Sequence, residues 1–206
     1  MDGQEQGTPL SEAKEATRVA AQRTLLHAID DEPEIWVFGY GSLLWKPGFE
    51  FVEKRPALLY GYHRSFCIYS DYYRGTADNI GLVLGLDRGG SCQGLAFRLA
   101  RDVAHGILDY LWDREMITSV YDLRVMSAHT DTGPVRCRTF VANRMHEEYA
   151  GRLPQDEIVR VIRRGVGVTG SNREYLENTV GHLDALGIGD GPLHRLLRQV
   201  NNDPLC

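Results

Sequence analysis

The order of its apolar runs narrows what this chain can fold into. Ile35-Trp36-Val37-Phe38 is a β-rich run, and Arg55 to Ser70 is a second β-like stretch broken at Gly61. Leu82 to Leu86 and Cys92 to Leu99 flank Asp87-Arg88-Gly89-Gly90-Ser91, a hairpin signal. Tyr121 to Thr130 and Val135 to Ala142 alternate in polarity across Asp131-Thr132-Gly133-Pro134, a second hairpin signal. Between these pairs, Asp102 to about Arg114 reads as a helix, with Val103, Ile107, Tyr110 and Leu111 at helical spacing. Hairpins dominate and no regular β-α-β alternation is present, so the expected class is α+β rather than a doubly wound parallel sheet.

The chain ends are helical in pattern. Pro9 at a first helical position opens a helix over Leu10 to Asp30, rich in alanine, glutamate and arginine and poor in large apolar residues before Leu25-Leu26. Residues 1–34 therefore read as an extension, disordered over 1–8 and then helical, packed weakly on a main body of residues 35–206. Ile158, Val159 and Ile162 form an apolar helical face. Ser171-Asn172-Arg173-Glu174 is a capping box, and a short last helix starts near Pro192.

A chain of 206 residues is long enough to bury a core without disulfides or metal. The formal charge of −5 argues against a nucleic-acid partner, whose electrostatic footprint would be basic. No apolar run approaches the ~18 residues that span a bilayer, and the polar N-terminus is unlike a signal or transit peptide. Cys67, Cys92, Cys137 and Cys206 include no C-x-x-C pair, and the histidines no H-E-x-x-H, so neither a metal site nor a redox motif is expected. Buried thiols in a reducing cytoplasm fit this usage.

Three local motifs lose their functional reading on context. Gly165-Val166-Gly167-Val168-Thr169-Gly170 spells G-x-G-x-x-G, but the residues before it have a helical period where a dinucleotide fingerprint needs a strand. A connection between helices is the better reading. Gly39-Tyr40-Gly41-Ser42-Leu43 misses the nucleophile elbow because Leu44, not glycine, stands two residues after the serine. His63, beside Arg64 in a strand, reads as structural or surface.

Two features keep a possible chemical role. Gly39 and Gly41 follow an apolar strand, so this segment is either an ordinary tight turn or a nest of amide N–H groups suited to a carboxylate or oxyanion. Glu115 closes the central helix within Trp112-Asp113-Arg114-Glu115-Met116. It is either an ion-paired helix terminus or, turned inward by Met116-Ile117, a desolvated carboxyl able to act as a base.

Four further blocks occur in order along the chain: Val37-Phe38-Gly39-Tyr40-Gly41-Ser42-Leu43-Leu44-Trp45, Gly61-Tyr62-His63-Arg64-Ser65-Phe66, Tyr110-Leu111-Trp112-Asp113-Arg114-Glu115 and Gly170-Ser171-Asn172-Arg173-Glu174-Tyr175-Leu176. Together they resemble the ChaC family of glutathione-specific γ-glutamylcyclotransferases. The resemblance implies a small mixed β-barrel with peripheral helices and cofactor-independent cleavage of glutathione to 5-oxoproline and cysteinylglycine. It implies that Val37, Phe38, Gly39, Tyr40, Gly41, Ser42 and Leu43 hold the γ-glutamyl group, that Glu115 is the acid/base, and that Tyr121, the tyrosine following it, also binds substrate. Many eukaryotic members carry a glycine pair soon after that glutamate, where this chain has Met116-Ile117-Thr118-Ser119, a difference that bears on pocket shape and hence substrate preference. The alternatives are a cyclotransferase for other γ-glutamyl peptides or amines, and a non-catalytic regulatory binding protein.

Overall fold

Two unusually long strands, paired along nearly their whole length, organise the molecule, a computed structural model that describes residues 9–202. In chain order the main elements are α1 (Pro9–Leu26), β1 (Ile35–Gly39), β2 (Glu53–Ser70), β3 (Gly81–Leu99), α2 (Ala104–Glu115), β4 (Tyr121–Thr130) and β5 (Gly133–Ala142). They continue with α3 (Gln155–Arg164), β6 (Val166–Gly167), β7 (Gly170–Ser171), α4 (Asn172–Ala185) and α5 (Gly191–Asn201). The strands close a barrel in the order β1-β3-β2-β4-β5, with β5 returning to β1 as a parallel pair. The other barrel pairings are antiparallel.

The hairpin expected at Asp87–Ser91 does not form. β3 runs straight through those residues, and the reversal comes earlier, across residues 71–80. Tyr60 pairs with Ser91 and Tyr62 with Arg88, so Gly61 faces Gly89 and Gly90 across a bulge. All three glycines have positive φ (85°, 101° and 71°). Left-handed glycines here absorb an extra residue and bend the ribbon without ending the ladder. The signal at Asp131-Thr132 does make a turn, with Gly133 at φ 117° opening β5.

β1 is buried along its whole length, which is why it reads as a continuous apolar run rather than an alternating one. Ile35 and Val37 pack with Ile107, Leu108 and Leu111 of α2, while Trp36 and Phe38 pack with Leu59, Leu86, Ala96 and Cys137. The buried face of α2 is Ala104, Ile107, Leu108, Leu111 and Trp112. Val103 precedes the helix and is exposed, as is part of Tyr110, so the apolar stripe lies one position from the expected one. α3, α4 and α5 cover β3 through Ile162, Leu176, Leu183, Leu193 and Leu196 against Leu82, Leu84, Leu95 and Phe97.

The N-terminal helix is anchored more firmly at its end than an appendage would be. Leu26 and Ile29 are fully buried beside Ile35 and Leu99. The buried Arg138 of β5 donates to the carbonyls of Leu26 (2.7 Å) and Ala28 (2.8 Å) and to the Glu32 carboxylate (2.8 Å). Residues 1–8, expected to be disordered, lie outside the described residues, as does Cys206.

Candidate active site

The strand β1 ends at Gly39, and Tyr40-Gly41 lead into a single 3₁₀ turn, Ser42–Leu44. Close packing is the reason for the first glycine: a Cβ at Gly39 would stand 3.0 Å from both Leu43 Cβ and the Phe97 ring. The Leu44 amide donates to Gly41 O (2.9 Å) and the Lys46 amide to Ser42 O (2.8 Å). The amides of Ser42 and Leu43 have no backbone acceptor among the described residues. Arg64, almost entirely buried, secures the approach to this turn by donating to the Tyr40 carbonyl and, at 2.6 Å, to Gln93 O.

α2 ends where this turn begins to wall a cleft of about 390 Å³, its open mouth included. Phe38, Tyr40, Gly41, Ser42 and Leu43 form one wall; Glu115 from α2 and Tyr121 from β4 form another. Leu84 of β3, Phe140 of β5 and Tyr175 of α4 complete the lining. Val37 and Gly39 do not line it. Val37 is fully buried against α2, because its side chain leaves β1 on the face opposite Phe38.

Leu84, Phe140 and Tyr175 were not among the expected site residues. Tyr175 had a readable signal, an aromatic just inside a helix whose start is marked by the capping box. That cap is present: Ser171 Oγ accepts from the Glu174 amide at 3.1 Å. Leu84 and Phe140 carry no local sign of their place, since only barrel closure brings them here.

Glu115 retains 17% side-chain exposure and accepts no hydrogen bond among the described residues; Arg114 Nε stands 3.3 Å from Oε1. Burial raises its pKa above the usual carboxylate value, and the Arg114 guanidinium opposes that rise. Burial also pushes the Tyr40 and Tyr121 phenols well above 10, reinforced by each other's proximity for Tyr40 and by Glu115 for both. Burial carries Tyr175 to about 12. All three phenols are therefore protonated donors at neutral pH. Tyr121 Oη donates to Leu84 O at 3.0 Å.

This lining can move protons but holds no activated nucleophile. Ser42 Oγ accepts from Arg114 at 2.8 Å, and among the described residues no histidine or cysteine lines the cleft. His63 is exposed, with Nδ1 3.0 Å from Gly89 O. The G-x-G-x-x-G segment forms the small hairpin β6–β7 between α3 and α4. Among the described residues no group of three or more His, Cys, Asp or Glu is placed to hold a metal ion.

A closed mixed barrel flanked by helices is the γ-glutamylcyclotransferase class of fold. The crystal structure of a γ-glutamylcyclotransferase specific to glutathione from yeast shares this fold, with a TM-score of 0.76 over 82% of this chain and 96% of that one, at 24% identity. The family model for ChaC-like proteins matches residues 35–203, and the chain belongs to that family. It is 36% identical over 184 residues to the glutathione-specific γ-glutamylcyclotransferase of Escherichia coli, covering 89% of this chain and 80% of that protein. It is 33% identical over 164 residues to the glutathione-specific γ-glutamylcyclotransferase 1 of Mus musculus, covering 77% of this chain and 74% of that one.

Proposed function

We propose that this protein cleaves glutathione to 5-oxoproline and cysteinylglycine, with Glu115 as the general acid/base. The observation that carries the reading is the position of Glu115, a desolvated carboxyl at the cleft that faces phenolic donors and the glycine turn. Family membership supplies the substrate class.

The substrate carries its own nucleophile. Its α-amine attacks its γ-glutamyl carbonyl, closing a five-membered ring and expelling the amine of the cysteinyl residue; no water is consumed. Well-oriented intramolecular attack reaches effective molarities of ~10⁵ M or more, so the main task of the cleft is to fold the substrate. The α-ammonium, with a pKa near ~8, must first lose a proton, and a free glutamate at ~4.3 is too weak a base by about 3.7 units, or about 5 kcal/mol. The burial that raises Glu115 narrows that gap. Protonated Glu115 then returns the proton to the departing amine.

Tyr40 and the amides of Ser42 and Leu43, which have no backbone acceptor among the described residues, are suited to the glutamyl carboxylate or the developing oxyanion. Tyr121 is tied to Leu84 O and so stiffens the wall beside Glu115. Val37 and Gly39 serve the site by shaping the turn. No helix among the described residues is long and apolar enough to cross a membrane. The three described cysteines are free and buried, consistent with work in a reducing cytoplasm.

The test is direct. Purified protein incubated with glutathione should release 5-oxoproline and cysteinylglycine in equal amounts, with γ-glutamyl dipeptides much poorer substrates. Equal or better turnover of γ-glutamyl-alanine would transfer the assignment to a broader cyclotransferase, and binding without any product would favour a regulatory role.

A further inference from the structure

Arg114 reaches from the end of α2 into the loop after β1. Its Nη1 donates to the carbonyls of Lys46 (2.8 Å) and Pro47 (3.1 Å) and to the Tyr110 hydroxyl (3.0 Å). Its Nη2 donates to Ser42 Oγ (2.8 Å), a residue 72 positions away, and its Nε lies 3.3 Å from Glu115 Oε1. A cation at a helix C-terminus ordinarily serves the helix's own last carbonyls. Here two of the acceptors are carbonyls of another segment, and a third is a hydroxyl that lines the cleft.

We infer that Arg114 is a positioning residue that latches the Ser42–Pro47 loop to the helix end bearing Glu115, holding the two walls of the cleft in register. The inference rests on the proposed cyclotransferase reading for its effect on turnover. Its physical part stands on the contacts alone. Only a planar guanidinium has enough donors to serve both carbonyls and both hydroxyls in one conformation while standing beside the carboxylate; an ammonium offers three donors and no fork.

The electrostatic consequence is separable from the mechanical one. The groups facing Glu115 are Tyr40 from the turn after β1, Tyr121 from β4, Tyr175 from α4 and Arg114 from its own helix. The phenols are neutral at working pH, so Arg114 supplies the charge that opposes the rise in the Glu115 pKa. Removing that charge moves Glu115 further upward, whereas loosening the loop alone does not.

The test compares Arg114→Met, Arg114→Lys and Ser42→Ala with the parent protein. Two readouts need no substrate: amide hydrogen exchange over residues 42–46, and titration of the Glu115 carboxyl followed by NMR. Arg114→Met should speed exchange in the loop, move the Glu115 titration to higher pH, and lower kcat/KM by about 10²-fold, the scale of an ~1 Å misplacement. The acid limb of its pH–rate profile should move in the same direction. Arg114→Lys keeps the charge, so the titration stays in place while loop exchange still rises and kcat/KM recovers only in part. Ser42→Ala should raise KM without moving the limb. Parent-like exchange in both Arg114 variants, or an Arg114→Met protein with parent-like turnover, overturns the latch. If Arg114→Met does not fold, Arg114→Lys decides by the same exchange readout. A parent protein that makes no 5-oxoproline removes the reaction reading instead, and leaves exchange and titration to judge the latch.

Discussion

Arg64 and Asp190 form an ion pair inside the protein, with Nη1 2.7 Å from Oδ2 and side chains 2% and 13% exposed. The same guanidinium holds the carbonyls of Tyr40 and Gln93, and the same carboxylate caps α5 by accepting from the Leu193 amide at 3.2 Å. One contact thus ties the turn that walls the cleft, the strand β3 and the last helix.

Breaking this pair from one side leaves a buried charge without its partner. Asp190→Ala should lower unfolding free energy by about 3–5 kcal/mol, including the lost cap, as read from urea denaturation. His63→Ala, one residue from Arg64 but exposed, should stay within about 0.5 kcal/mol of the parent. Equal small effects of the two substitutions would mean that the pair contributes nothing net.

Glu115→Gln keeps size and hydrogen-bonding capacity but cannot take a proton. Turnover of glutathione should fall at least ~10²-fold with the melting curve preserved. Asp113→Asn, on the exposed side of the same helix end, should cost little. Comparable turnover in Glu115→Gln and the parent would sink the acid/base role.

The raised pKa of Glu115 has a thermodynamic signature as well. The folded state binds this proton more tightly than the unfolded chain, so its contribution to stability is complete below the unfolded carboxylate pKa of ~4.3 and declines as pH rises through the folded value. Glu115→Gln should therefore match the parent in stability under acidic conditions and gain on it towards neutrality. Urea titrations at both ends of that range check the sign, and a gap that closes with rising pH would contradict it.

The thiols should be inert in the folded protein. Burial raises Cys67 and Cys137 to about 12 and Cys92 to about 11. In a Cys206→Ser background, a disulfide reagent at pH 8 should react slowly in buffer and with all three thiols in urea. Glutathione cleavage should survive both alkylation of the folded protein and EDTA. Loss of activity in EDTA, restored by zinc, would require a metal in the mechanism.

Much of this protein is written in short-range chemistry. The continuous apolar run at Ile35–Phe38, the glycine stop after it, the turn at Asp131-Thr132, the capping box at Ser171 and the helix start near Pro192 each act within a few residues of backbone, so each is legible in sequence. The four family blocks carried the fold class, and placed Glu115 and most of the glycine turn among the candidates. Tertiary structure decided the rest. Asp87–Ser91 has turn chemistry, yet its glycines face Gly61 in a ladder long enough to override it, and they bend a strand instead of reversing it. Val37 and Phe38 are neighbours in sequence, but only the packing of α2 on one face of β1 decides which of them sees the cleft. Leu84, Phe140 and Tyr175 reach the site because the barrel closes and α4 docks on it, and the loop partners of Arg114, Ser42, Lys46 and Pro47, lie about seventy residues away. Local preferences choose elements through interactions a few residues long. A cleft is made where several elements meet, and that meeting depends on burying apolar faces across the whole chain.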